Sequence, residues 1–126
     1  MSSYNILIVD DSKIVVHLLT KMFKELGHNI VGIAENGEEA LEKYLELKPD
    51  LVTMDITMPK IDGIQSTKNI IAKDPEAIII MVTSHGQEQM IVEAVEAGAK
   101  GYILKPFRKE KIDEQIKQII KKYRKA

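Results

Sequence analysis

Four apolar runs in this chain end on residues with chemistry to offer. Ile6-Leu7-Ile8-Val9 delivers the carboxylates Asp10 and Asp11, and Leu51-Val52-Thr53-Met54 delivers Asp55. Ala77 to Val82 leads into Thr83, and Tyr102-Ile103-Leu104 into Lys105 and Pro106. As parallel strands of one sheet, these runs would bring their C-terminal ends side by side, at the edge where open α/β sheets bind ligands. Three carboxylates gathered there repel one another: two unit charges ~5 Å apart cost roughly 3 kcal/mol at an effective dielectric near 20. Oxygen ligands without cysteine or clustered histidine favour a hard cation such as Mg²⁺ to offset that repulsion. Lys105 adds a second positive charge at the same edge. A cation and a lysine around a carboxylate are the parts that neutralise a phosphoryl group during transfer. Asp55, the central carboxylate, is the natural nucleophile.

The elements that must position these residues alternate between short β-branched runs and longer segments of helical period. Residues 4–9 read as a strand buried on both faces, because Ile6 to Val9 are consecutively apolar. Ser12 can cap a helix over 13–26 with Val15, Leu18, Leu19, Met22, Phe23 and Leu26 inward, ended by Gly27. A strand over 29–33 follows, weakened by Gly32. Asn36 and Glu39 form a variant capping box for a helix burying Ala40, Leu41, Tyr44 and Leu45, closed by Pro49. Residues 51–54 are the central strand, and a loop through Pro59 and Gly63 leads to a helix over 64–73. Ala77 to Val82 is the most apolar strand; a helix over 87–97 then turns Ile91, Ala94 and Val95 inward and ends at Gly98. The last strand is 101–104, and a final helix over 108–123 buries Ile112, Ile116, Ile119, Ile120 and Tyr123. Five βα units predict a parallel sheet with right-handed crossovers and helices on both faces.

At 126 residues the chain is expected to be one domain, 1–126, with no repeat, linker or second unit. A hydrophobic fraction of 44% and a charged fraction of 29% are ordinary for a globular protein. Net charge is −1, which excludes a global field toward nucleic acid or membrane. The absence of cysteine excludes disulfides and thiolate metal sites. Neither a signal peptide nor a membrane-length apolar run is present, so a cytoplasmic location is expected. Residues 108–126 carry a net +5, leaving −6 on the rest; such a run reads first as a solvated helix face. His17 and His28 read as helix-surface and turn residues, without metal spacing.

In order and spacing the chain resembles the receiver domain of two-component response regulators, most closely the single-domain chemotaxis type. The resemblance is carried by Ile8-Val9-Asp10-Asp11-Ser12, by Met54 to Gly63 around Asp55, by Val82-Thr83-Ser84, and by Gly101 to Phe107. It implies a flavodoxin-like doubly wound (βα)₅ fold with strand order 2-1-3-4-5. Asp55 would accept a phosphoryl group from a sensor histidine kinase. Mg²⁺ would be held by Asp10, Asp11, Asp55 and the backbone carbonyl of Thr57. Lys105 would contact the acyl phosphate, across a cis bond to Pro106. Thr83 and Tyr102 would be the switch pair, altering the face of the fourth helix, fifth strand and fifth helix where an output protein, a flagellar switch or another effector, binds. Thr57 and His85 occupy the positions that tune acyl-phosphate lifetime. The expected protein is a monomeric signalling switch in chemotaxis or motility, and not an enzyme beyond self-phosphorylation and autodephosphorylation. Partners would include neither nucleic acid nor membrane.

Other classes fit less well. A phosphorelay intermediate, passing its phosphoryl group to a histidine phosphotransfer protein, shares every residue above. A small phosphohydrolase of the haloacid-dehalogenase type would want a second Asp two residues after the nucleophile, where Thr57 stands. Neither a G-x-G-x-x-G nor a Walker A lysine motif occurs, which argues against a nucleotide-binding domain. The basic last helix lacks the interleaved aromatics of a nucleic-acid face, Tyr123 apart.

Overall fold

A computed structural model describes residues 3–56, 62–84 and 88–123. Among the described residues, ten elements alternate: β1 (Asn5–Val9), α1 (Lys13–Glu25), β2 (Asn29–Ala34), α2 (Gly37–Leu47), β3 (Leu51–Asp55), α3 (Gly63–Lys73), β4 (Ile79–Thr83), α4 (Glu88–Ala97), β5 (Gly101–Leu104) and α5 (Lys109–Tyr123). The strands form one parallel sheet in the order β2-β1-β3-β4-β5, the flavodoxin-like (βα)₅ arrangement. Because the order reverses at β1, crossovers leave on both faces, and a crevice opens between the C-terminal ends of β1 and β3.

Alternation along the central strands divides the core into two. Leu7, Val9, Val52, Met54 and Met81 face α2, α3 and α4 through Ala40, Tyr44, Ile70 and Ala94. Ile6, Ile8, Ile80, Val82 and Ile103 face α1 and α5 through Leu19, Phe23, Ile112, Ile116 and Ile120. Burial on both sides explains why these strands read as unbroken apolar runs.

Helix ends follow the local chemistry. The Ser12 and Asn36 side chains accept from the amides of Val15 and Glu39, and Glu39 accepts in turn from the Glu35 amide at 3.1 Å. Gly27, at φ +91, closes α1 in a Schellman motif: its amide donates to Lys24, and that of His28 donates to Phe23. Gly98, at φ +116, closes α4 in the same way.

Four expected core positions are exposed instead. Leu18, Leu45 and Val95 each follow or precede by one residue the centre of a buried stripe (Leu19, Tyr44 and Ala94), and one residue is about 100° around a helix. Val16, one turn before Leu19, packs partly buried against the core instead. Tyr123 lies on the buried side by angle but is exposed, and its ring instead receives the Lys100 and Lys122 ammonium groups at 5.6 and 5.3 Å. The fourth strand starts at Ile79 rather than Ala77, since Asp74 holds a turn by accepting from the amides of Glu76 and Ala77.

His28, expected as a simple turn residue, is buried between Tyr4 and Phe23. Its Nδ1 accepts the Tyr4 amide at 3.1 Å, which a protonated ring could not do. Burial pushes its pKa below the ordinary 6.5, Asp113 pulls it back up, and Lys117 pushes it down further. The unfolded chain therefore binds this proton more readily than the folded one. The His28 contribution to stability is complete above about 6.5 and is lost as pH falls from there toward the folded pKa. Urea unfolding near pH 7.5 and 5.5 is expected to show a stability loss that His28→Gln reduces; equal losses in both chains would contradict it.

Candidate phosphoryl-accepting site

Strand order brings the chemical residues to one edge. Asp10 follows β1 directly, Asp55 ends β3, Thr83 ends β4, and Lys105 follows β5. The adjacent β4 and β5 are held in register by Thr83 opposite Leu104, and the Lys105 amide donates to the Thr83 carbonyl at 2.8 Å. The Lys105–Pro106 bond is cis, as expected.

Asp10, Asp11 and Asp55 each offer a carboxylate oxygen, and these oxygens lie within 4.8 Å of one another. Asp11 is exposed and Asp55 half-buried, but Asp10 is only 2% exposed. Oδ1 of Asp10 accepts the Ser12 amide at 2.8 Å; its Oδ2 is buried with no hydrogen-bond partner. Burial raises the Asp10 pKa above 3.8, and the Asp11 charge adds to this, while the Ser12 amide and the Lys105 ammonium act against it. An orphaned buried carboxylate oxygen beside two further carboxylates is an electrostatic deficit that a divalent cation would relieve. The donor set is all oxygen, so it fits Mg²⁺ better than a softer ion.

Thr83 is 1% exposed, and its hydroxyl lies 3.4 Å from the Ser84 carbonyl. Tyr102 is 43% exposed, so its ring is not a core residue here; its carbonyl accepts from the Gln115 side chain at 2.7 Å. The positions Thr57 and His85, and the loop residue Met58, lie outside the described residues.

Two features of the site escape a reading of residue types alone. Gly63, the first residue of α3, donates its amide to the Ile56 carbonyl at 2.9 Å. A Cβ at Gly63 would fall on the Asp55 carbonyl oxygen, with the Ile56 Cα also in contact. This glycine therefore gives the helix room to close on the Asp55 backbone. The second feature is the buried pair Ser66 and Thr67 in the first turns of α3, both 0% exposed. The Asp62-Gly63 pair at a helix start was the only available signal for either.

A doubly wound parallel sheet carries an acidic triad and a lysine at its C-terminal edge, the arrangement expected of a receiver-type domain. Residues 6–117 match the response regulator receiver domain family, and the chain belongs to it. Among its relatives is the chemotaxis protein CheY of Thermotoga maritima, 46% identical over 116 residues, 92% of this chain and 97% of that protein. CheY of Halobacterium salinarum is 48% identical over 115 residues, 91% of this chain and 95% of that protein. The solved CheX–CheY–BeF₃–Mg²⁺ complex from Borrelia burgdorferi holds a similar chain, 41% identical with a TM-score of 0.88, matched over 93% of this chain and 89% of that one. Among the described residues, no helix is long and apolar enough to cross a membrane.

Proposed function

We propose that this chain is a phosphorylation-driven switch in which Asp55 accepts a phosphoryl group from a histidine kinase. The observation that carries this reading is the convergence of Asp10, Asp11 and Asp55, with an orphaned Asp10 oxygen, beside Lys105. The carboxylate oxygen of Asp55 forms the new bond to phosphorus as the donor's P–N bond breaks. The electron pair leaves on the imidazole, which takes up a proton. Asp10, Asp11 and Asp55 would hold Mg²⁺, which when bound supplies positive charge against the phosphoryl oxygens. Lys105 neutralises the same group from the β5 side.

Thr83, buried at the end of β4, is the hydroxyl that meets a phosphoryl oxygen, and the exposed Tyr102 ring on the neighbouring strand is the group that turns inward. Such a change biases a two-state element by local charge and packing. Val92, Val95, Tyr102 and Leu104 leave an apolar surface on α4 and β5, which supports readout by a protein partner there. The CheY relatives support chemotaxis as the pathway, and a signalling rather than a catalytic role.

Incubation with acetyl phosphate and Mg²⁺ tests this reading. Lys105→Ala is expected to slow phosphoryl uptake roughly hundredfold, the scale of losing one charge-stabilising donor. Asp55→Asn is expected to abolish it. Uptake at the parent rate in Lys105→Ala would remove the lysine from the mechanism.

A further inference from the structure

We infer that Thr67 is a positioning residue for phosphoryl transfer to Asp55. This rests on the phosphoacceptor reading above. Thr67 is fully buried, one helical turn after Gly63, and its hydroxyl donates to the Gly63 carbonyl at 2.8 Å. The same oxygen lies 3.5 Å from Sδ of Met81 in β4. Met81 pairs with Met54, and the next pair in the register is Asp55 with Val82. One hydroxyl thus touches the first residue of α3 and the strand flanking Asp55.

A threonine bonding back to the carbonyl four residues earlier is common within helices, and often only satisfies its own hydroxyl. Here the carbonyl it holds belongs to Gly63. That residue's amide donates to Ile56, and its Cα stands against the Asp55 carbonyl with no room for one more carbon. The first turn of α3 is therefore in van der Waals contact with the nucleophile's own backbone, and the orientation of its peptide groups sets where Asp55 stands. Ser66 beside it, buried with an unpartnered hydroxyl, cannot substitute, since it makes no such bond. Without the Thr67 hydroxyl, the turn keeps only its helical bonds and can rotate against β4. Displacements well under 1 Å at a reacting group are enough to reduce rate, and a full 1 Å can cost about a hundredfold.

The test compares the parent chain, Thr67→Val and Thr67→Ser for uptake from acetyl phosphate at saturating Mg²⁺, alongside urea unfolding. Thr67→Val, which keeps the shape, is expected to lower the maximal rate roughly tenfold with little change in the half-saturating donor concentration. Thr67→Ser, which keeps the hydroxyl, restores it. Should Thr67→Val prove unfolded, Thr67→Ala removes the same hydroxyl without crowding the site, and the same result is expected. A hydroxyl-free variant that is folded and as fast as the parent overturns the inference, as does Thr67→Ser failing to restore the rate. A parent chain that takes up no phosphoryl group overturns the phosphoacceptor reading itself and this inference with it.

Discussion

Gly63→Ala is expected to destabilise the fold by roughly 3 kcal/mol, the upper range for forcing one carbon into a packed site. The added Cβ would overlap the Asp55 carbonyl oxygen and press on the Ile56 Cα. Both are backbone atoms of the central strand's end, held in the sheet by β4 and by the Gly63–Ile56 bond, so no side chain can swing aside. Relief requires α3 to move away from β3, which opens the core around Ile70. Gly27→Ala is the control. Its Cβ would meet nothing within 4 Å, and it suffers only from a φ of +91. That strain is worth about 1–2 kcal/mol. Urea unfolding of the two variants should therefore separate them clearly. Equal losses would show that α3 does not sit on the Asp55 backbone as described.

Asp10→Asn is expected to change stability with opposite signs depending on Mg²⁺. In the metal-free chain the Asp10 pKa is raised, first by burial and then by Asp11, so the ionised form is less favoured in the fold than in the unfolded chain. A carboxylate so displaced reduces stability as pH rises through 3.8 toward its folded value, and the reduction is complete above that folded value. Replacing it by the neutral amide removes this penalty, so the variant is expected to be the more stable chain without metal. With Mg²⁺ present the order reverses. A ligand at a hundred times its Kd stabilises the fold by about 2.7 kcal/mol, and the variant has lost one of three carboxylates that would hold the ion. Thermal unfolding with a chelator and with millimolar Mg²⁺ should show the two melting curves exchanging places. A variant less stable under both conditions would mean that Asp10 serves the fold rather than a cation.

The architecture was legible because its signals are local. Ile6 to Val9 could only be a strand covered on both faces, and Ser12, Asn36, Gly27 and Gly98 marked helix ends by chemistry that operates within a turn. The acidic triad and Lys105 were legible because a strand's C-terminal residue is placed by the strand itself. Facing was legible only to within one helical position, as Leu18, Leu45 and Val95 demonstrate, since 3.6-residue periodicity leaves about 100° between neighbours. The burial of His28 depends on Tyr4 and Phe23 closing over a turn, and no residue type announces that. Nor does a lone glycine announce that its missing Cβ is what lets a helix close on the end of the central strand; the contact between Gly63 and Asp55 exists only in three dimensions.

The most direct measurement is peptide mass spectrometry after incubation with acetyl phosphate, with Mg²⁺ or with a chelator, followed by hydroxylamine. A single added phosphoryl group on the peptide carrying Asp55, present only with Mg²⁺ and removed by hydroxylamine, is the predicted result. A phosphoryl group that resists hydroxylamine, that maps to another residue, or that forms equally well in chelator would contradict the assignment of Asp55 as a metal-assisted acceptor.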